Sequence, residues 1–194
     1  MADAGTLHEA FVDELCDAYD AERQLTQALS ELSRAASRPE LREAFQTHLE
    51  ETQGHADRLE LVFATLDENV RGKHCEGIAD IIEEGRSILE ANLDDITMDA
   101  CLIAAGQRAE HYEIAVYERL VAWAQAMDYT DAASLLRQTL DEEKAAEQRL
   151  SSLAGDSLSQ RTADTAHPDR DDPPVVTGAA THSYNPATLK LQRL

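Results

Sequence analysis

Apolar residues recur along the chain at alternating steps of three and four, as on one face of a helix, from the N-terminus to about residue 154. Breaks divide this pattern into four long segments and one short one. The pattern predicts long helices over about 6–37, 40–66, 97–127 and 130–153, and a short linking helix over 78–92. Thr6 can cap the first helix, Pro39 can stand in the first turn of the second, and Gly155 is expected to end the last.

No regular strand alternation accompanies these helical segments, so the predicted fold class is all-α. Four long helices joined by short turns and one longer connection form an antiparallel four-helix bundle, with the short additional helix between helices two and three. Residues 1–154 are predicted to be this bundle. Residues 155–194 are rich in Asp, Thr, Ser and Pro and are predicted to be a disordered linker with a short apolar and basic C-terminal peptide.

That peptide, Pro186 to Leu194, has the sequence PATLKLQRL on an otherwise acidic protein. One interpretation is a frayed terminus. The other is a docking segment for a protein partner or a shell with an acidic or apolar groove.

The interior seam of each long helix is interrupted by glutamate or histidine, where a bundle normally places apolar residues. The predicted ligands at these interruptions are Glu22 in helix one, His55 in helix two with Glu51 on the flanking position, Glu110 and Glu113 in helix three, and Glu143 and Glu147 in helix four. His48 lies on the same seam as His55, and we expect it to be a core residue or to lie behind the ligands.

The heights of these residues agree, because residues equally far from an antiparallel turn lie at the same level of a bundle. With the first turn near residue 38, Glu22 is level with about residue 54. With the second turn near residues 128–129, Glu113 and Glu110 are level with about residues 144 and 147. All the interruptions are therefore expected in one layer.

A layer of buried carboxylates requires positive charge, since each unpaired ionised carboxylate costs several kcal/mol, on the order of the whole stability of a domain. Lys and Arg are missing from the seams. Two divalent ions would offset about four carboxylates, and oxygen ligands with imidazole suit Fe or Mn. The sequence predicts a di-metal site with two Fe ions (or Mn) per bundle, and a hydrated polar core is the alternative.

The net charge of -21, from 38 acidic and 17 basic residues, argues against partners that are themselves anionic. We expect no nucleic-acid binding and no attachment to anionic membranes. Three cysteines without CxxC spacing favour a reducing compartment, and the N-terminal sequence has neither a basic leader nor an apolar segment. A cytoplasmic protein is expected.

Five stretches of the chain together resemble the bacterial YciE/YciF stress-protein family, a branch of the ferritin-like, rubrerythrin-related superfamily. They are VDELCDAYDAERQL, HLEETQGHADRLE, GKHCEG, QRAEHYEIAVYERL and LDEEKAAE. The resemblance covers about residues 6–153. It implies a ferritin-like bundle, a homodimer and kinship to diiron proteins.

One feature departs from the ferritin-like pattern, in which helices two and four usually carry Glu-x-x-His. Here Glu51 and Glu143 are each followed at that spacing by a glycine or an alanine. The partners on the same face, His55 and Glu147, come one residue later. Spacing of four also places two ligands on one face.

These observations lead to two classes of function. The first is a stress-response di-metal protein, a ferroxidase or peroxidase-type oxidoreductase that oxidises iron or consumes peroxide or oxygen inside the bundle. The second is a catalytically silent dimeric bundle with a structural or interaction role, or a cargo protein docked through its C-terminal peptide.

Overall fold

The structure is a computed structural model that describes the backbone of residues 5–165 and the side chains of residues 5–155. Its five helices are α1 (Leu7–Ala35), α2 (Pro39–Thr65), α3 (Glu76–Leu89), α4 (Asp95–Ala126) and α5 (Thr130–Thr165). The predicted fold class, four long helices in a bundle with a short helix between the second and third, is confirmed. None of the described helices combines the length and the apolar character needed to cross a membrane.

Two antiparallel hairpins build the bundle. Tight turns join α1 to α2 and α4 to α5, while the longer connection that contains α3 passes from one hairpin to the other. α2 packs against α5 and α1 against α4, and α3 lies across α1 and α4. Each long helix therefore turns one face towards a shared interior.

The helix starts follow from local hydrogen bonds. Thr6 caps α1 in a reciprocal box with Glu9, whose carboxylate accepts from the Thr6 backbone N–H at 2.7 Å. Pro39 occupies the first turn of α2, where its missing N–H costs nothing. Asp94 caps α4, which therefore begins two residues earlier than the hydrophobic pattern predicts.

A buried carboxylate fastens the α1–α2 turn to α4. Asp99 is 0% exposed and accepts hydrogen bonds from the backbone N–H groups of Ser37 and Arg38 at 2.8 and 3.0 Å. Its second oxygen also accepts from the Ser37 hydroxyl at 2.7 Å. The turn is thereby fixed at one height on α4.

The predicted end of the last helix at Gly155 is wrong, because α5 continues to Thr165. An exposed glycine inside a helix costs only about 1 kcal/mol relative to alanine, so it does not oblige a helix to stop. The linker predicted from residue 155 can begin no earlier than residue 166. The rest of that linker and the peptide from Pro186 to Leu194 lie outside the described residues.

The interior consists of two apolar clusters with a polar layer between them. One cluster surrounds Phe11, Phe63 and Leu120, and the other surrounds Leu41, Phe45 and Leu102. The polar layer comprises Glu22, His48, Thr52, His55, Glu110, Glu113 and Glu143. All seven are at most 3% exposed, as buried as the apolar residues on either side.

Candidate metal centre

All four long helices contribute to the polar layer, each through positions on its interior seam. α1 supplies Glu22, α2 supplies His48 and His55 two turns apart, α4 supplies Glu110 and Glu113, and α5 supplies Glu143. The layer therefore contains four carboxylates and two imidazoles.

These six side chains form two groups whose donor atoms lie within 4.8 Å of one another. The first group contains His48, Glu110, Glu113 and Glu143, and the second contains Glu22, His55 and Glu143. A cluster of this composition, oxygen and imidazole nitrogen in a buried setting, could bind a metal ion.

Glu143 belongs to both groups because its two oxygens face different imidazoles. Oε1 lies 2.8 Å from Nδ1 of His55, and Oε2 lies 3.6 Å from Nε2 of His48. Its carboxylate therefore spans the space between the two groups.

Most of the carboxylate oxygens in the layer have no hydrogen bond. Glu113 lacks one at both oxygens, as does Glu143, and Glu22 and Glu110 each lack one at Oε2. Among the described residues, no Lys or Arg forms an ion pair with these four carboxylates. Buried polar atoms normally have partners, so this concentration of unmatched oxygens fits a bound cation.

An ion pair outside the layer orients His55. Nε2 of His55 lies 2.9 Å from Oε2 of Glu142, whose carboxylate also accepts from the Arg58 guanidinium at 2.8 Å. Nδ1 faces inward, 3.6 Å from Glu22 and 2.8 Å from Glu143. A proton on Nε2 leaves the Nδ1 lone pair towards the carboxylates, the arrangement that ligating histidines use.

A similar pair of contacts, to a carboxylate and through it to an arginine, orients His48. Its Nδ1 lies 3.5 Å from Oε2 of Glu51, and Glu51 in turn binds the Arg149 guanidinium. Nε2 of His48 faces inward, 3.1 Å from Oε1 of Glu110. Both imidazoles are thus backed by a carboxylate that an arginine holds in place.

Tyr117 fixes the orientation of Glu22. Its hydroxyl donates a hydrogen bond to Oε1, and both side chains are 1% exposed. The other oxygen, Oε2, is left facing His55.

While no cation is present, the electrostatics of the layer raise the pKa values of two of its carboxyl groups, those of Glu113 and Glu143. Burial and the charges of Glu143, Glu22 and Glu110 raise the pKa of Glu113 well above its ordinary value. Burial also raises the pKa of Glu143 to about 7, although the nearby His55 imidazole opposes the change. Like charges in a dry interior have this effect.

The pKa values of the two imidazoles are raised, which favours their protonated form. Burial alone lowers the pKa of His55, but the neighbouring carboxylates of Glu143 and Glu22 outweigh it and bring the pKa to about 10. Burial likewise lowers the pKa of His48, but the neighbouring carboxylates of Glu110 and Glu51 outweigh it and raise the pKa well above its ordinary value. Imidazolium is the counter-ion that the protein itself can supply.

The structure brings five of the seven sequence-predicted ligands into the two groups: Glu22, His55, Glu110, Glu113 and Glu143. Glu51 lies behind His48, and Glu147 accepts a hydrogen bond from Ser151 at 2.5 Å on the outer side of α5. Ala146, 2% exposed, takes the interior position that the seam assigned to Glu147. The α5 seam passes through residues 143, 146 and 150 because a straight helix drifts from a strict heptad.

His48 belongs to the first group, although the sequence predicted it to be a core residue or to lie behind the ligands. The available signal was its position seven residues before His55, two turns away on the same seam. The supporting residues Glu142, Arg58 and Arg149 had no such signal, since they lie off the seams.

Two pockets reach the layer, both lined by α1 and α4 but at different heights along these helices. The acidic pocket, about 10 Å³, lies between α1, α4 and the connection before α3, and its lining includes Glu14, Asp17, Glu22 and Glu113. The apolar pocket, about 30 Å³, lies beneath α3, is lined mainly by Leu, Ile and Ala, and touches His48 and Glu110.

Comparison with known proteins places the chain in a family. A family model described as "Domain of unknown function (DUF892)" matches residues 6–163. The chain belongs to the DUF892 family. Protein YciF of Escherichia coli (strain K12) is 40% identical to this DUF892 chain over 163 residues, which cover 83% of the chain and 98% of YciF. The resemblance seen in the sequence motifs is confirmed.

Solved structures of DUF892-like chains have the same architecture. The crystal structure of the E. coli stress protein YciF matches with a TM-score of 0.76 at 41% identity, covering 78% of this chain and 96% of YciF. YcfI, a candidate structural protein from Rhodopseudomonas palustris, matches with a TM-score of 0.74 at 36% identity, covering 77% and 96%. Nearly the whole length of both relatives is therefore represented in this chain.

Proposed function

We propose that this protein is a di-metal carboxylate protein of the stress response, which oxidises ferrous iron or consumes peroxide or oxygen inside the bundle. The observation that carries the proposal is the group of six buried carboxylate oxygens without hydrogen bonds, arranged with two imidazoles around a shared Glu143. The stress-response part rests on similarity to the E. coli stress protein YciF.

The charges of the layer support two divalent ions. Glu22, Glu110, Glu113 and Glu143 carry four negative charges when ionised, and two divalent ions with neutral imidazoles would balance them. Four glutamates and two histidines are also the donor set of ferritin-like di-iron bundles, although here both histidines come from α2. Carboxylate and imidazole ligands suit Fe or Mn.

The side chains would divide the work as follows. Glu110, Glu113 and His48 would hold one ion, Glu22 and His55 would hold the other, and Glu143 would be shared between the two groups. Bound iron would supply the electrons for reducing oxygen or peroxide.

The surrounding residues would keep these ligands in place. Glu142 and Glu51, each held by an arginine, orient the imidazoles. Tyr117 holds Glu22, and the apolar clusters above and below keep bulk water out of the layer.

Metal content of the purified full-length chain tests the proposal. After anaerobic loading with Fe²⁺ and removal of free ions, we expect two ions per chain by elemental analysis, followed by Fe²⁺ oxidation when air or peroxide is added. Glu143→Ala removes the shared ligand and should abolish stoichiometric loading. Glu147→Ala, on the same helix but outside both groups, is the matched control and should load normally.

A catalytically silent, structural bundle is the second candidate. It is favoured by the two imidazoles, whose raised pKa values allow His48 and His55 to balance part of the acidic charge without metal. Under this alternative the wild type binds no stoichiometric metal, and Glu143→Ala behaves like Glu147→Ala in the loading experiment.

Assembly remains a separate proposal. We expect a homodimer, and a partner or shell that binds Pro186 to Leu194. Light scattering on the full chain, and a pull-down comparing it with a chain ending at Pro186, test these two expectations.

A further inference from the structure

We propose that the acidic pocket is the entry route through which divalent cations reach the metal centre. This inference rests on the proposed function and identifies a substrate class, a partly dehydrated Fe²⁺-like ion. The outer lining consists of Glu14, Asp17, Cys75 and Tyr112, and the inner lining includes Glu22 and Glu113.

Acidic groups continue from the surface to the polar layer along this pocket. The side chains of Glu14 and Asp17 are 21% and 27% exposed, whereas Glu22 and Glu113 are 1% and 3% exposed. Oδ1 of Asp17 is buried without a hydrogen bond, and so are both oxygens of Glu113 at the inner end. A cation would therefore meet an unmatched carboxylate oxygen at each stage, and negatively lined clefts concentrate cations.

The wall formed by the connection before α3 is firmly attached to α1. Cys75 N–H donates to Asp20 at 3.0 Å, its carbonyl accepts from Gln24 at 3.3 Å, and Lys73 N–H donates to the carbonyl of Cys16 at 3.1 Å. These bonds hold the outer lining in place.

Close packing narrows the pocket between its two ends. The Cys75 thiol lies 3.1 Å from the Tyr112 hydroxyl. The Tyr112 side chain also packs against Gly77, where a Cβ atom would lie only 2.8 Å from the nearest Tyr112 atoms. Glycine at position 77 therefore permits the position of Tyr112.

The size of the pocket sets a condition on the ion. About 10 Å³ is room for roughly one water molecule, so an ion cannot pass with its full hydration shell. Carboxylate oxygens can replace the water that is lost. Mg²⁺ dehydrates reluctantly, and this narrow passage would therefore select against it.

Two basic side chains stand at the outer end and would compete with an entering cation. Lys73 reaches Asp13 at 2.7 Å and Asp17 at 3.3 Å, and the guanidinium of Arg119 binds Glu14. The Lys73 side chain is 53% exposed, so its ammonium can move into solvent when a divalent ion arrives. Removing this ammonium should speed entry, the opposite of removing an acid.

The apolar pocket offers no comparable path for an ion. Its lining is mainly hydrocarbon from α1, α3 and α4, which cannot replace lost water ligands, and its outer carboxylate, Glu31, is bound to Arg86. Ala28 and Ala109 line it, and a larger side chain at either position would fill it.

Rates of metal uptake test the route in the full-length protein, with Co²⁺ as the probe and its visible absorbance followed by stopped flow. We expect Glu14→Gln and Asp17→Asn to slow uptake by about tenfold, with the final stoichiometry unchanged. Lys73→Gln should accelerate uptake, and added Mg²⁺ should leave the wild-type rate unaltered. Glu43→Gln, which removes an exposed charge on α2, and Ala28→Leu, which fills the apolar pocket, are the controls and should load at the wild-type rate.

The outcomes separate this route from the function on which it rests. A wild type that binds no Co²⁺ overturns the proposed metal centre itself. Normal loading rates in Glu14→Gln, Asp17→Asn and Lys73→Gln, beside a wild type that binds two ions, overturn only the route. A lower final stoichiometry in Asp17→Asn also overturns it, because Asp17 would then be a ligand.

Discussion

The polar layer and the apolar clusters beside it are equally buried, but only the apolar side chains find the contacts that suit them. Phe63 at 0% exposure is surrounded by hydrocarbon, whereas Glu113 at 3% has no hydrogen bond for either oxygen. The clusters supply favourable free energy of folding, and the layer consumes part of it. This difference is the one expected if the layer binds metal, as proposed, rather than stabilising the fold.

The largest effect that separates the two regions is expected from pH. The carboxyl groups of Glu113 and Glu143 and the imidazoles of His48 and His55 all have raised pKa values, so each binds more protons in the folded chain than in the unfolded one. The free energy of unfolding of metal-free protein should therefore fall as pH rises from about 4.5 to about 10.

Metal should counteract that trend, since the ligands must lose their protons to bind it. Urea denaturation at pH 5, 7 and 9, with Mn²⁺ or with a chelator, measures both effects. A metal-free profile that is flat between pH 5 and 9 would contradict the charge assignment. The apolar clusters contribute nothing to this pH dependence.

Next in size is truncation within an apolar cluster. Phe63→Ala leaves a cavity among side chains of all four long helices and should lower the free energy of unfolding by about 3–5 kcal/mol. Chemical denaturation gives this value directly. Metal loading of the remaining folded protein should be normal, because Phe63 lies outside the polar layer.

The same measurement on a layer residue should have the opposite sign. Glu113→Leu replaces an unmatched carboxyl group with hydrocarbon and should raise the free energy of unfolding of the metal-free protein by about 1–4 kcal/mol. It should also weaken metal loading. Glu113→Gln, which keeps the size and polarity of the side chain, is the control. A Glu113→Leu protein less stable than the wild type would show instead that the carboxyl group stabilises the fold.

The smallest effect concerns the residues behind the ligands. Glu142→Gln weakens the support of His55 while leaving both groups of ligands intact, and should reduce metal affinity by about 10–100-fold without abolishing binding. Competition with a chromogenic chelator measures this change. Glu118→Gln, at an exposed ion pair with Lys144, is the control.

The sequence was sufficient for the number and order of the helices and for the height of the layer, although not for the end of α5. Apolar periodicity defines the seams, and the two tight turns align Glu22 with His55 and Glu113 with Glu143. These features depend on local spacing along the chain.

Other features depend on the rotation of each helix and on contacts between distant segments. A small rotation of α5 places Ala146 rather than Glu147 inside, and His48 joins the ligand group because its ring reaches Glu110. The pairs of Arg58 with Glu142 and Arg149 with Glu51 join different helices, and no local pattern predicts them.

The contact between Asp99 and the α1–α2 turn has a consequence far from the turn itself. A slip of one residue between the first hairpin and α4 would move Glu22 by about 1.5 Å along its axis and rotate it by about 100°. Tyr117, which lies on α4, would then be out of its reach. Because three hydrogen bonds at Asp99 resist that slip, the alignment of the polar layer is set about three to four helical turns away from it, at a site outside the proposed metal centre.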